Sequence, residues 1–115
     1  MSSSALGRLL EEAPETANIF AALGDPTRLG LVTRLSNGSQ CSISQLAENS
    51  TLTRQAITKH LRVLEDAGVV SSRKSGRENL YALNPQRLHD ATAYMDVVSR
   101  QWDQALGRLK SFVES

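Results

Sequence analysis

No stretch limits the possible folds more tightly than residues 42–68. Ile43, Leu46 and Ala47 fall at helical spacing and are followed by Asn49-Ser50-Thr51, a turn by composition. Ile57, Leu61 and Leu64 then resume the helical period on a longer segment reaching Ala67, with Gly68 as its left-handed terminator. Ser42 with Gln45 three residues on has the spacing of a capping box for the first helix, and Thr53 can cap the second. Arg54, Gln55, Thr58, Lys59 and Arg62 lie off the inward stripe, so the longer helix turns a polar, basic front outward. A short helix, a tight turn and such a second helix make a helix-turn-helix, whose second element enters the DNA major groove N-terminus first.

What flanks this unit extends the pattern. Val69–Arg73 and Glu78–Leu83 are expected as two strands around the turn Lys74-Ser75-Gly76-Arg77, a hairpin with a basic tip, or wing. Upstream, Leu6, Leu9, Leu10 and Ala13 recur at helical spacing, and Ala17, Phe20 and Leu23 continue it, with a break or new start at Pro14. Asp25 and Pro26 open another helix, with Leu29, Val32 and Leu35 as its apolar stripe and Asn37-Gly38 at its end. Gly30 inside that helix costs about 1 kcal/mol relative to alanine.

Asn84-Pro85 starts the last helix, which carries a heptad. Leu88, Met95, Trp102 and Leu109 recur every seven residues, interleaved with Ala91, Val98, Ala105 and Phe112, and Leu106 and Val113 widen the stripe. Roughly 28 residues at 1.5 Å each span about 42 Å, longer than so small a core can cover. The surplus apolar face needs a partner, and a second copy of the chain is the simplest.

At 115 residues the chain accommodates one domain, 1–115, mainly α with a small β-hairpin. Its formal net charge of +1 says little, but the distribution is informative. Residues 51–80 carry Arg54, Lys59, Arg62, Arg73, Lys74 and Arg77 against Glu65, Asp66 and Glu78, whereas residues 1–50 carry a net acidic excess. A polyanion would therefore be met by the middle third. Aromatic residues make up 4% of the chain, too few for reading single strands by base stacking. No signal-peptide run or membrane span is evident, and the lone Cys41 excludes an internal disulfide, so a cytoplasmic location is expected. There is no nucleophile with a base and an orienter, no glycine-rich phosphate loop, and the two histidines are far apart, so catalysis is not expected.

With these segments in place, the chain resembles the ArsR-type winged helix repressors. The resemblance is carried by ALGDPTRLGLV, by SISQLAENSTLTRQAITKHLRVLEDAGVVSSRKSGRENLYAL and by the final amphipathic helix, in the family's order over nearly the whole chain. It implies a homodimer in which residues 1–23 and 85–113 pack across a two-fold axis, repressing from a palindromic operator until a signal releases it. Departures accompany it. Where arsenic- and lead-sensing members carry paired cysteines, this chain has Ser42 and Ser44, with Cys41 alone beside them. The last helix offers His89, Asp90, Asp96 and Asp103 in place of the zinc-sensing ligand pattern, and Thr51 replaces the usual glycine of the turn. The branch without a recognisable metal site is indicated, and neither metal nor cofactor is expected.

The expected partners are double-stranded DNA and a second copy of the chain, with no membrane and room for an unidentified small-molecule or redox effector. Arg54 and Gln55 are placed to read base edges, and Thr53, Thr58, Lys59 and Arg62 to meet phosphates. Arg73, Lys74 and Arg77 of the wing could straddle the backbone or enter the minor groove. Leu88, Met95, Val98, Trp102, Ala105, Leu109 and Phe112 are the expected dimer interface. Two alternatives stay open: a winged helix that docks an acidic protein partner, and a thiol-responsive repressor using Cys41.

Overall fold

The structure is a computed structural model and describes residues 13–48 and 50–114. Five helices and a small sheet follow one another along these residues: α1 (Ala13–Leu23), α2 (Pro26–Leu35), β1 (Cys41–Ser42), α3 (Ile43–Ala47), α4 (Arg54–Asp66), β2 (Val70–Ser75), β3 (Glu78–Leu83) and α5 (Pro85–Glu114). The strands lie in the order β1-β3-β2 with both pairings antiparallel. This is a winged helix-turn-helix, with α3 and α4 as the paired helices and β2–β3 as the wing.

Local chemistry sets the element ends where the sequence placed them. Asp25 Oδ2 accepts from the Arg28 N–H at 3.0 Å, with Pro26 in the first turn of α2. Ser42 and Gln45 exchange both bonds of the capping box at the start of α3, at 2.8 and 3.2 Å. Thr53 Oγ1 accepts from Ala56 N at 3.1 Å and starts α4. At the other end of α4, Gly68 takes φ 78. Gly68 N–H then reaches Glu65 O and Val69 N–H reaches Leu64 O, both at 2.9 Å, the two bonds of a Schellman stop.

The core gathers Ile19, Leu31, Leu35, Leu46, Ile57, Leu61, Leu64, Val69, Val70, Tyr81 and Ala91. Ile57, Leu61 and Leu64 form the inward stripe of α4 as expected. Two other stripes are rotated from their expected positions. In α1 the buried residues are Thr16, Ile19 and Ala22, with Phe20 and Leu23 half-buried and Ala17 exposed. In α2 they are Leu31 and Leu35, with Val32 half-buried and Leu29 51% exposed. In each helix the face turned inward is the one that packs against its neighbours, and the apolar residues beside that face are left at its edge or in solvent. The earlier apolar positions Leu6, Leu9 and Leu10 lie outside the described residues.

The wing is longer and tighter than expected. Lys74 and Ser75 belong to β2, and the loop is only Gly76-Arg77, with Ser75 opposite Glu78. Gly76 has φ 61, the left-handed conformation that two-residue hairpin turns demand of their first residue. The sheet also has a third strand that the sequence did not reveal. Cys41 pairs with Tyr81 and Ser42 with Leu80, fastening the entry to α3 onto the wing.

The root of α5 is tied to α1. Arg87 Nη1 bonds Glu15 Oε2 at 2.7 Å, and the Phe20 and Tyr94 rings meet at 6.0 Å. Leu88 packs partly against the core and Ala91 is buried in it. Beyond Arg100 every described residue of α5 is exposed.

Candidate nucleic-acid interface

Thr53 caps α4 at a solvent-exposed first turn, and the inward pull of Ile57, Leu61 and Leu64 turns the opposite face to solvent. On that face Arg54, Gln55, Thr58, Lys59 and Arg62 line one open recess, closed at one side by Ile43 of α3. Five of the nine predicted contacts are therefore brought together on one face of α4. Thr53 is exposed at its leading end, and its hydroxyl, which accepts from Ala56, still has its hydrogen to donate.

A second recess adjoins the first. Arg54 and Arg77 line it with Ser42, Ile43, Ser44, Glu78 and Asn79. The wing tip and the recognition helix thus share a basic notch that the one-dimensional spacing did not reveal, and Ser44 and Asn79 are the polar residues that sequence reasoning missed there. The pairing of β1 with β3 brings them together, a long-range contact with no local signature.

Two predicted contacts are engaged within the chain, and a third stands apart from both recesses. The Thr58 hydroxyl donates to Arg54 O at 2.7 Å, so while that bond stands it offers an incoming group only lone pairs, the wrong polarity for a phosphate. Arg73 donates from Nε and Nη2 to Gln40 Oε1 at 3.2 and 2.7 Å. Lys74 is exposed but lines neither recess, and the strand alternation sends it and Arg73 to opposite faces of the hairpin.

Behind the interface a polar cluster fixes the orientation of α4. Arg28 Nε donates to Ala22 O at 2.6 Å and its Nη1 reaches His60 Nδ1 at 3.3 Å. His60 Nδ1 also lies 3.8 Å from Asp25 Oδ2. One arginine thereby links α1, α2 and α4, and His60 is a structural partner. The hydrogen bond from the Arg28 N–H holds the Asp25 carboxyl below the usual carboxylate value, assisted by the nearby charge of Arg28. At the wing root, Ser72 Oγ donates to Glu65 Oε2 at 2.7 Å, tying β2 to the end of α4. Burial, together with the Glu65 carboxylate, pushes the neighbouring Tyr81 hydroxyl above its usual value, so it stays neutral.

Among the described residues no group of three or more His, Cys, Asp or Glu side chains could hold a metal ion. Cys41 is half-buried in β1, with its Sγ 3.7 Å from Ser39 Oγ. No described helix is long and apolar enough to cross a membrane.

Residues 25–72 match the family described as bacterial regulatory protein, arsR family. The chain is 34% identical over 88 residues to the uncharacterized HTH-type transcriptional regulator MJ1325 of Methanocaldococcus jannaschii, spanning 76% of this chain and 98% of that protein. It is 32% identical over 78 residues to the transcriptional repressor SdpR of Bacillus subtilis, spanning 68% of this chain and 86% of that one. Among solved structures, the ArsR-like transcriptional regulator from Rhodococcus sp. RHA1 superposes with a TM-score of 0.73 at 35% identity, covering 89% of this chain and 95% of the other.

Proposed function

The chain belongs to the arsR family of bacterial regulatory proteins, and on that premise we propose that it is a homodimeric repressor occupying a pseudo-palindromic site on double-stranded DNA. The observation that carries this reading is the shared recess of Arg54, Gln55, Thr58, Lys59 and Arg62 on the solvent face of a capped, core-anchored helix. Arg54 and Gln55, at its leading end, carry the side chains that match guanine and adenine edges in the major groove. Lys59, Arg62 and Arg77, with the Thr53 hydroxyl, supply phosphate contacts that fix register.

Dimerisation is supported by the apolar face of α5. Met95, Trp102, Leu106 and Leu109 are exposed in the single chain, and Trp102 is 64% accessible. A run of large apolar side chains on one helix face is the pattern that a second copy covers. Two protomers related by a two-fold axis would set their α4 helices in successive major grooves, about 34 Å apart. The protein acts where the DNA lies, in the cytoplasm.

Selection of bound duplexes from a random-sequence pool tests the reading. Enrichment of an inverted repeat, with Lys59→Ala and Arg77→Ala weakening binding to every sequence, is the expected result. No enrichment at moderate salt would favour a winged helix that docks a protein instead.

A further inference from the structure

Helix α3 has five residues, far below the roughly 12 that an isolated helix needs to persist in water. Its survival depends on its end groups, because the last four carbonyls of a helix have no partner within it. Here each finds one. Glu48 N–H reaches Ser44 O at 3.1 Å and Gln45 O at 3.3 Å, and Ser50 N–H donates to Ala47 O at 3.0 Å. Leu46 O receives Arg34 Nη1 at 3.1 Å, and Arg34 Nη2 gives Gln45 O its shorter bond at 2.7 Å. Arg34 comes from neither helix of the motif but from the last turn of α2.

We propose that Arg34 is a positioning residue for DNA binding: its guanidinium, rooted in α2, grips the final carbonyls of α3 and thereby sets the angle at which α4 meets the groove. The proposal rests on the DNA-binding reading above. Its physics is specific to arginine. Two amino groups in a fixed fork match two successive carbonyls, and the positive charge sits at the negative end of the helix. Loosening this grip frees α3 and the turn through residues 50–53, which carries Thr53 and Arg54 to the front of the interface. Ile43 of α3 also walls the recess where Arg54, Gln55 and Lys59 stand, so a shift of α3 reshapes that face directly.

A direct phosphate contact is the competing role, since Arg34 also borders an open depression with Thr27, Glu48, Ser50, Thr51 and Leu52. Two features oppose it. Each terminal amino group already gives one N–H to a carbonyl, which fixes the plane of the fork, and the acidic Glu48 lines the same depression.

The test compares wild type, Arg34→Met and Arg34→Lys on a duplex that the wild type has selected. Affinity is measured across salt concentrations, and amide hydrogen exchange is followed without DNA. Arg34→Met should weaken binding by about tenfold or more, since two charge-assisted bonds are lost, with Arg34→Lys recovering only part. The slope of affinity against salt should match the wild type, because no phosphate contact is removed. Exchange should quicken in α3 and residues 50–53 but not at Ile57, Leu61 and Leu64. Undiminished affinity in Arg34→Met overturns the proposal, as does a salt slope reduced by about one phosphate or exchange that quickens equally throughout the core. Should the wild type select no duplex, the DNA reading falls and the role in binding falls with it. The exchange pattern still decides whether Arg34 holds α3.

Discussion

Arg73 closes its guanidinium on the side-chain oxygen of Gln40, with Nε at 3.2 Å and Nη2 at 2.7 Å. The bond joins the wing to the segment that leads into α3, 33 residues earlier in the chain. A basic residue at the wing, counted with the DNA contacts on its charge, is thus committed to bracing the hairpin. Arg77, at the tip beside Arg54, is not so committed in either recess.

This difference separates the two arginines in solution. Arg77→Ala should flatten the dependence of affinity on salt by about one phosphate, near 0.9 in the logarithmic slope. Arg73→Ala should leave the slope unchanged and act, if at all, by loosening the wing. Binding titrations at several salt concentrations measure both, and a reduced slope in Arg73→Ala would return that residue to the phosphate contacts.

Trp102→Glu should dissociate the dimer while leaving each protomer folded. The side chain is 64% exposed in the single chain, so the domain does not depend on it, whereas a carboxylate buried between two protomers would lack a partner. Sedimentation velocity at micromolar concentration should show dimers for the wild type and monomers for the variant, with circular dichroism retaining its helical form. A wild type that sediments as a monomer removes the role assigned to the distal half of α5.

Two glycines should respond in opposite directions. A β-carbon at Gly30 meets nothing within 4 Å, so Gly30→Ala should raise stability by about 0.5–1 kcal/mol through helix propensity and a restricted unfolded chain. Gly68 has φ 78, and a β-carbon there would stand 3.0 Å from Arg87 Nε. Gly68→Ala should therefore cost roughly 1–2 kcal/mol from the left-handed conformation, and more if Arg87 cannot give way. Urea unfolding of the two variants against wild type checks both signs.

The Asp25 cap should leave a pH signature. Its folded carboxyl titrates below the usual 3.8 because the charged form accepts the Arg28 N–H. The stabilisation is thus fully present above the unfolded value and lost as pH falls through the lower, folded one. Thermal unfolding of wild type and Asp25→Ala should differ most from neutral pH down to about pH 5. The two curves should converge in more acidic solution, below the ordinary carboxylate range. A constant difference across that range would show that the cap does not act through its charge.

Much of the site could be read from the order of residues. Caps, stops and the outward face of α4 follow from short-range rules, in which a side chain meets a backbone group within four positions and a helix repeats every 3.6 residues. Thr53, Gly68 and the inward Ile57, Leu61 and Leu64 were legible for that reason. The stripes of α1 and α2 were legible only as helices. Which of several apolar residues turns inward depends on how the helix packs against its neighbours, and that packing left Leu29 outside and put Leu31 within.

Spacing along the chain settled the kind of elements, their order and the basic character of one helix face, because those follow from backbone hydrogen bonding and local periodicity. It could not settle which charges are spent internally. Arg34 on the α3 carbonyls, Arg73 on Gln40 and Arg28 against His60 look like three more surface cations until the fold closes. Their partners lie 11 to 33 residues away, and a guanidinium's choice between water, DNA and a protein oxygen is made by distances that come into being only when the elements pack.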